Sequence, residues 1–100
     1  MVSSRQRAYL RSLAHDMDPV FQIGKNGVTA EFLRELDDAL EARELLKVRV
    51  LKNSMDEPDD AAEETAEALH AVLVQKIGRV FVLYRPSSDE PTIELPEGRP

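Results

Sequence analysis

The chain has 100 residues, and its 42% apolar content is enough for one hydrophobic core but not for two. It has no cysteine, which excludes disulfides and thiolate metal sites and fits a reducing compartment. No stretch approaches the roughly 20 apolar residues of a membrane span, and the N-terminus lacks the apolar run of a secretory signal, so we expect a soluble cytoplasmic protein.

Charge is distributed unevenly along the chain. The net charge of −6 and the pI of about 4.9 argue against a polyanionic partner, because nucleic-acid binding depends on neutralising phosphates. Seven of the 19 acidic residues, however, lie between Asp56 and Glu67, whereas basic residues concentrate in 5–11, 25–34 and 43–52. We therefore expect two surfaces of opposite sign, so the net charge lowers the expectation of RNA binding without excluding it.

Hydrophobic periodicity predicts three helices and four strands. In chain order these are a helix from Ser4 to about His15, a strand over Val20–Ile23, a helix over Ala30–Arg43, a strand over Leu46–Val50, a helix opening at Pro58, and strands over Ala71–Ile77 and Val80–Arg85. A capping box of Ser3 and Gln6 begins the first helix, and Thr29 is the expected N-cap of the second. Gly78-Arg79 is the expected hairpin turn.

This order, α-β-α-β-α-β-β, predicts a single α/β domain. Strands separated by helices favour parallel pairing and the last two strands should form an antiparallel pair, so we expect a mixed four-stranded sheet packed against helices. We expect the prolines from Pro86 onward to end the ordered part and leave an irregular tail. The domain is assigned to residues 1–96, with a tail over 97–100.

The loop between the first strand and the second helix, Gly24-Lys25-Asn26-Gly27, is the candidate site for an anion. Glycines allow the backbone to approach a phosphate closely, free amides and the helix dipole favour negative charge, and Lys25 adds a positive one. The alternative is an ordinary turn, since Asn-Gly is a strong turn dipeptide. The loop lacks the length and the ending of a nucleotide-binding P-loop.

Three flanking cations are candidate supporting contacts. Arg7 and Arg11 lie one turn apart on the first helix, and Lys47 shares one face of the second strand with Arg49. A solvated basic surface with no ligand is the alternative. Aromatic residues are too scarce on the strands for a platform on which bases stack.

Catalytic constellations are absent from the sequence pattern. The two histidines, His15 and His70, close helices, where they can meet the dipole, and no histidine ligand cluster or Ser-His-Asp order stands out. We therefore expect no enzyme activity, no metal and no cofactor.

Several segments carry a family resemblance that covers nearly the whole chain in order. They are residues 4–15 (SRQRAYLRSLAH), 19–29 (PVFQIGKNGVT), 39–48 (ALEARELLKV), 77–79 (IGR), 82–86 (VLYRP) and 93–96 (IELP). Together they resemble the CRM domain, named for chloroplast RNA splicing and ribosome maturation, in its free-standing bacterial YhbY form.

The resemblance implies a fold similar to the C-terminal domain of translation initiation factor three, with a KH-like Gly-x-x-Gly loop that contacts RNA. It implies association with ribosomal RNA in precursors of the large subunit, with ribosomal proteins as further partners. On this basis Gly24, Lys25, Asn26 and Gly27 take the loop role, and Arg7, Arg11 and Lys47 are supporting contacts by position. A monomer that does not bind membranes is expected.

A protein-interaction adaptor is the alternative from another class. It would use the acidic third helix to bind a basic ribosomal protein. Salt-dependent binding to ribosomal RNA would separate the two hypotheses. The affinity of an adaptor for a protein need not fall with salt in the way that phosphate binding does.

Overall fold

The computed structural model describes residues 2–98 and contains three helices and four strands in the predicted order. They are α1 (Ser4–Ala14), β1 (Phe21–Ile23), α2 (Ala30–Arg43), β2 (Leu45–Val50), α3 (Pro58–Leu69), β3 (Val72–Ile77) and β4 (Val80–Tyr84). The predicted boundaries hold to within one or two residues.

Local capping explains where the helices begin. The Ser3 hydroxyl accepts the amide of Gln6 while the Gln6 side chain accepts the amide of Ser3, which is the predicted capping box. The Thr29 hydroxyl accepts the amide of Phe32 in the same way at α2. Pro58 begins α3, where its lack of an amide hydrogen has no cost because amides of the first turn have no partner within the helix.

The sheet has the strand order β1-β2-β4-β3. Two of the predicted pairings are confirmed: β1 is parallel to β2, and β3 is antiparallel to β4. The parallel pairing expected of strands separated by a helix is wrong at α3. The two strands joined by α3, β2 and β3, do not pair, because β4 lies between them and is antiparallel to both. The hairpin turns at Gly78, whose φ of 57° suits glycine.

Each face of the sheet carries its own apolar cluster. α2 and α3 cover one face, where Val48, Phe81 and Leu83 are buried with Leu36 and Leu40. α1 covers the opposite face, where its Leu10 and Ala14 pack on strand residues. The alternation in β2 follows from this arrangement: Leu46, Val48 and Val50 are buried beneath α2 and α3, and Lys47 and Arg49 lie on the α1 face.

The segment after β4 corrects one prediction. It is irregular, as expected, but the ordered part does not end at Pro86. The buried carboxylate of Glu44 accepts the amides of Ser87, Thr92 and Ile93 at 2.7–2.9 Å. Ile93 and Leu95 pack against the α1 cluster, and the Gln6 side chain donates to the carbonyl of Pro96. A carboxylate and an apolar surface elsewhere in the fold therefore fix this segment without regular secondary structure.

Candidate nucleic-acid interface

The loop from Gly24 to Gly27 is a tight turn at the sheet edge where β1 and β2 end. The amide of Gly27 donates to the carbonyl of Gly24 at 3.0 Å, and Gly27 has φ of 70°, a conformation that favours glycine. Gly27 is buried, whereas Lys25 and Asn26 at the tip are exposed. The amides of Lys25 and Asn26 donate to no acceptor within residues 2–98. The turn therefore presents two free amides and one ammonium to solvent.

An acidic side chain supports this turn from below. The carboxylate of Asp56, in the segment that joins β2 to α3, accepts the amide of Val28 at 2.9 Å. A Cβ on Gly27 would collide with the same carboxylate. Asp56 thus binds the amide that directly follows the loop, and it holds the turn in place from the buried side. Nothing in the sequence pattern singles out Asp56, which lies 28 residues from its partner.

The half of the α1 face that the helix leaves uncovered forms an open groove of about 690 Å³. Its wall is the C-terminal half of α1 with the segment that follows, and its floor is β2, β4 and β3. The lining residues are Arg11, Ser12, His15, Pro19, Lys47, Arg49, Gln75, Ile77, Val80 and Val82. They include three cations and no carboxylate, although the chain as a whole is acidic.

The groove adjoins the loop along β1. Gln22 is the Cα partner of Arg49, and Gly24 follows Gln22 by two residues, which is about 7 Å at the 3.3 Å rise of a strand. The loop and this part of the groove are therefore neighbours. The structure therefore brings Arg11 and Lys47 together in the groove, with the loop Gly24, Lys25, Asn26 and Gly27 beside it.

Two of the predicted supporting cations are engaged within the protein. The ammonium of Lys47 donates to the carbonyls of Ala14 and Met17, at 3.0 and 3.1 Å, where α1 ends. The guanidinium of Arg7 donates from one nitrogen to the carbonyls of Leu73 and Val74. Both side chains hold α1 onto the sheet, and an RNA contact from either stays a prediction.

Arg11 and Arg49 are the exposed cations of the groove, and neither makes a hydrogen bond or ion pair within the described part of the chain. Arg49 is absent from the predicted contacts, although the alternation in β2 placed it on the same face as Lys47. The period-two pattern of β2 was sufficient to predict that Arg49 lies on this face. What the pattern did not reveal is that α1 stops short of Arg49 and leaves it accessible.

The aromatic side chains are used elsewhere. Phe81 and Tyr84 are buried on opposite faces of the sheet, and Phe21 lies beneath the guanidinium of Arg43, 5.9 Å from its ring centre. No phenylalanine or tyrosine of the described residues therefore lines the groove, and the apolar part of its floor is aliphatic: Ile77, Val80 and Val82. Within residues 2–98, no cluster of three histidine, cysteine or acidic side chains could hold a metal ion. No helix in this part of the chain has the length and apolar character needed to cross a membrane.

Comparison with known proteins identifies several close relatives. The chain is 44% identical to a Bacillus subtilis protein named "Probable RNA-binding protein YqeI", over 96% of this chain and all of that one. It is 38% identical to a Haemophilus influenzae protein named RNA-binding protein, over 95% of both chains. The solution structure of SAV1595 from Staphylococcus aureus, described there as a candidate RNA-binding protein, superposes with a TM-score of 0.79 at 49% identity, over 96% of this chain and all of that one.

A family model extends the match across the helices and the sheet. The model of the CRS1/YhbY (CRM) domain matches residues 2–85, which include the glycine loop, every strand and every helix. Together with relatives of the same length, this match confirms the resemblance that the sequence segments indicated. The chain belongs to the CRS1/YhbY (CRM) domain family.

Proposed function

We propose that this protein is an RNA-binding assembly factor that associates with ribosomal RNA in precursors of the large ribosomal subunit and has no catalytic role. The observation that carries the proposal is the outward tip of the Gly24–Gly27 loop, where Lys25 and Asn26 present free amides and a positive charge. Relatives that span the same length are named RNA-binding proteins, which supports RNA as the ligand.

The loop suits a phosphate of the RNA backbone. Free backbone amides and a nearby ammonium form a small anion-binding surface, and such a surface needs no base to be read. Asp56 holds the turn in place before RNA arrives, so little conformational entropy is lost on binding. We propose Gly24, Lys25, Asn26 and Gly27 as the backbone-binding site, with Arg11 in the adjoining groove as a free supporting cation.

The test of the loop is a charge reversal at its tip. We expect the double variant Lys25→Asp, Asn26→Asp to keep its fold, because both side chains are exposed, and to lose RNA binding through repulsion of the phosphate. The matched control is Lys52→Asp, Asn53→Asp, which changes the same residue types at an exposed turn beside the loop. A fluorescence-anisotropy titration with ribosomal RNA fragments measures both.

The size of the difference between these variants decides the loop assignment. We expect the loop variant to bind at least about tenfold more weakly than the control, or about 1.4 kcal/mol. Equal losses in the two variants would mean that general charge repulsion, and not the glycine turn, sets the affinity.

The ribosomal role has its own measurement. On a sucrose gradient of cell extract, we expect the wild-type protein to migrate with free or immature large subunits and the loop variant to remain at the top. Migration of the wild type with the soluble fraction alone, at low salt, would contradict the assembly role. RNA binding itself is tested separately by the anisotropy titration.

A further inference from the structure

The groove on the α1 face combines charge and apolar surface in a way that core packing does not require. Ile77 on its floor is 63% exposed, and Val80 beside it is half-buried. No segment of the chain between residues 2 and 98 covers them. At about 690 Å³ the groove lies within the range of roughly 300–1,000 Å³ that is typical of small-molecule pockets, so a nucleotide fits it by size.

The charges in the groove are available to a ligand. Lys47 is held by two carbonyls, but Arg11 and Arg49 are exposed and unpaired within residues 2–98. They belong to opposite sides of the groove, Arg11 to its helical wall and Arg49 to its floor. The absence of a lining carboxylate in an acidic chain makes the groove complementary to a polyanion.

From this combination we infer that the groove binds an unpaired nucleotide of the same RNA strand whose backbone the loop holds, with phosphates at Arg11 and Arg49 and a base on Ile77 and Val80. The inference rests on the proposed RNA-binding function and adds to it a second place of contact. Unpaired RNA is the occupant because bases in a duplex are stacked and paired, whereas a splayed base can lie on an apolar or guanidinium surface.

The experiment compares two RNAs in direct titrations. One is a blunt-ended hairpin, and the other is the same hairpin with four additional unpaired uridines. We expect the wild type to bind the hairpin with the overhang about tenfold more tightly. The variants Arg49→Gln and Ile77→Ser should lose most of this preference and keep their affinity for the blunt hairpin.

Two features of these variants separate charge from apolar contact. Arg43→Gln is the matched control for Arg49→Gln, because it removes one positive charge at the C-terminal end of α2, on the other face of the sheet, and should keep the preference for the overhang. Ile77→Ser changes no charge, so it should reduce the preference without changing the salt dependence of binding. Ile77 is exposed, and the substitution should leave the fold intact.

A second measurement locates the base. In methyl NMR spectra, tetrauridylate should shift the signals of Ile77 and Val80, and tetraglutamate at the same concentration should not. Equal shifts with both ligands would make the groove a general anion surface or a site for acidic peptides, and would overturn the inference.

The remaining outcomes distinguish the two proposals. A wild type that binds both hairpins equally, or groove variants that retain the full preference, would overturn the inference and leave the RNA-binding function standing. A wild type that binds neither hairpin would overturn both.

Discussion

The two glycines of the loop have different structural roles. Gly27 is buried at φ of 70°, directly above the Asp56 carboxylate, so both its conformation and its surroundings exclude a side chain. Gly24 has an ordinary φ, and a Cβ there would meet only the Leu51 side chain, at 3.9 Å. Gly27 is needed for closure of the turn, whereas Gly24 leaves space beside the free amides.

Alanine substitutions separate these roles. We expect Gly27→Ala to destabilise the protein by about 1–3 kcal/mol, from the left-handed backbone and the collision with Asp56. Gly24→Ala should change stability by less than about 0.5 kcal/mol, yet weaken RNA binding if the backbone approaches a phosphate closely. Urea unfolding measures the stability of each variant, and fluorescence anisotropy measures its RNA binding. Equal destabilisation by the two substitutions would contradict the role of Asp56.

Glu44 is a second residue whose surroundings define its role. It ends α2 in a left-handed conformation, φ 68°, and its buried carboxylate accepts hydrogen bonds from Ser87, Thr92 and Ile93. Burial alone would raise the pKa of this carboxyl group, but the amides of Ser87, Ile93 and Thr92 and the Thr92 hydroxyl outweigh burial and lower the pKa from 4.5 to about 2.

The lowered pKa predicts how stability depends on pH. Because the folded protein binds this proton more weakly than the unfolded chain, the contribution of Glu44 is complete above about pH 4.5 and is lost as the pH falls towards 2. Glu44→Gln places an amide donor against backbone donors and should cost about 1–3 kcal/mol at neutral pH. Thermal unfolding between pH 2 and 7 should show a smaller pH dependence in this variant than in the wild type. An unchanged dependence would exclude Glu44 as its source.

At the scale of elements, Arg7 connects α1 to an irregularity in β3. The pairing of β3 with β4 shifts register between Leu73 and Gln75, which disturbs the regular ladder at this point. Arg7 donates to the carbonyls of Leu73 and Val74 beside this bulge. A charged donor on two carbonyls makes α1 part of the sheet's hydrogen bonding as well as of its packing.

This contact predicts a difference between two arginines one turn apart. Arg7→Gln should destabilise the protein by about 1–3 kcal/mol, because it leaves partly buried carbonyls without their donor. Arg11→Gln should change stability by less than about 0.5 kcal/mol, because Arg11 is exposed and has no partner in the described part of the chain. Chemical denaturation of the two variants checks this. Equal stabilities would assign Arg7 to the surface rather than to the sheet.

The sequence predicted the elements well because their signals are local. The capping box at Ser3, the cap at Thr29 and the alternation from Leu46 to Val50 each specify a helix start or a strand face within a few residues. The glycine loop was likewise visible as a turn between a strand and a helix. Comparable signals exist for most of the backbone that positions the candidate interface.

Features that depend on distant partners could not be predicted in this way. The insertion of β4 between β2 and β3, the position of Asp56 under the loop and the attachment of residues 87–93 to Glu44 all join parts of the chain far apart in sequence. The engagement of Lys47 by the end of α1 belongs to the same class. Residue type and spacing do not encode which buried donor meets which acceptor.

At the scale of the whole molecule, the acidic helix α3 and the cationic groove lie on opposite faces of the sheet. α3 carries exposed acidic residues on the face opposite α1, and Lys76 of β3 forms ion pairs there with Asp59 and Glu63. The groove on the α1 face has cations and no carboxylate. The acidic net charge therefore does not describe the surface that we propose for RNA, although it will oppose RNA at long range when salt is low.

The free cations of the loop and the groove predict the salt dependence of binding. Lys25, Arg11 and Arg49 correspond to about three phosphates, so log affinity against log salt should have a slope of about −2 to −3, at about 0.7–0.9 for each contact. Alanine at any one of the three should reduce the slope by about one, and alanine at Arg43 should not change it. The measurement is a salt titration with the hairpin that carries the unpaired overhang, because only this RNA is expected to contact all three cations. A wild-type slope near zero would contradict phosphate contacts altogether.

The central position of β4 has a consequence for folding during synthesis. β2 and β3 leave the ribosome before β4, and neither can complete its pairing until residues 80–84 are available between them. Until then β2 has only the three-residue strand β1 as a partner, and its other edge stays open to wrong pairing. Contacts between residues far apart in sequence must therefore form late and together, which favours a single cooperative step over gradual folding from the N-terminus.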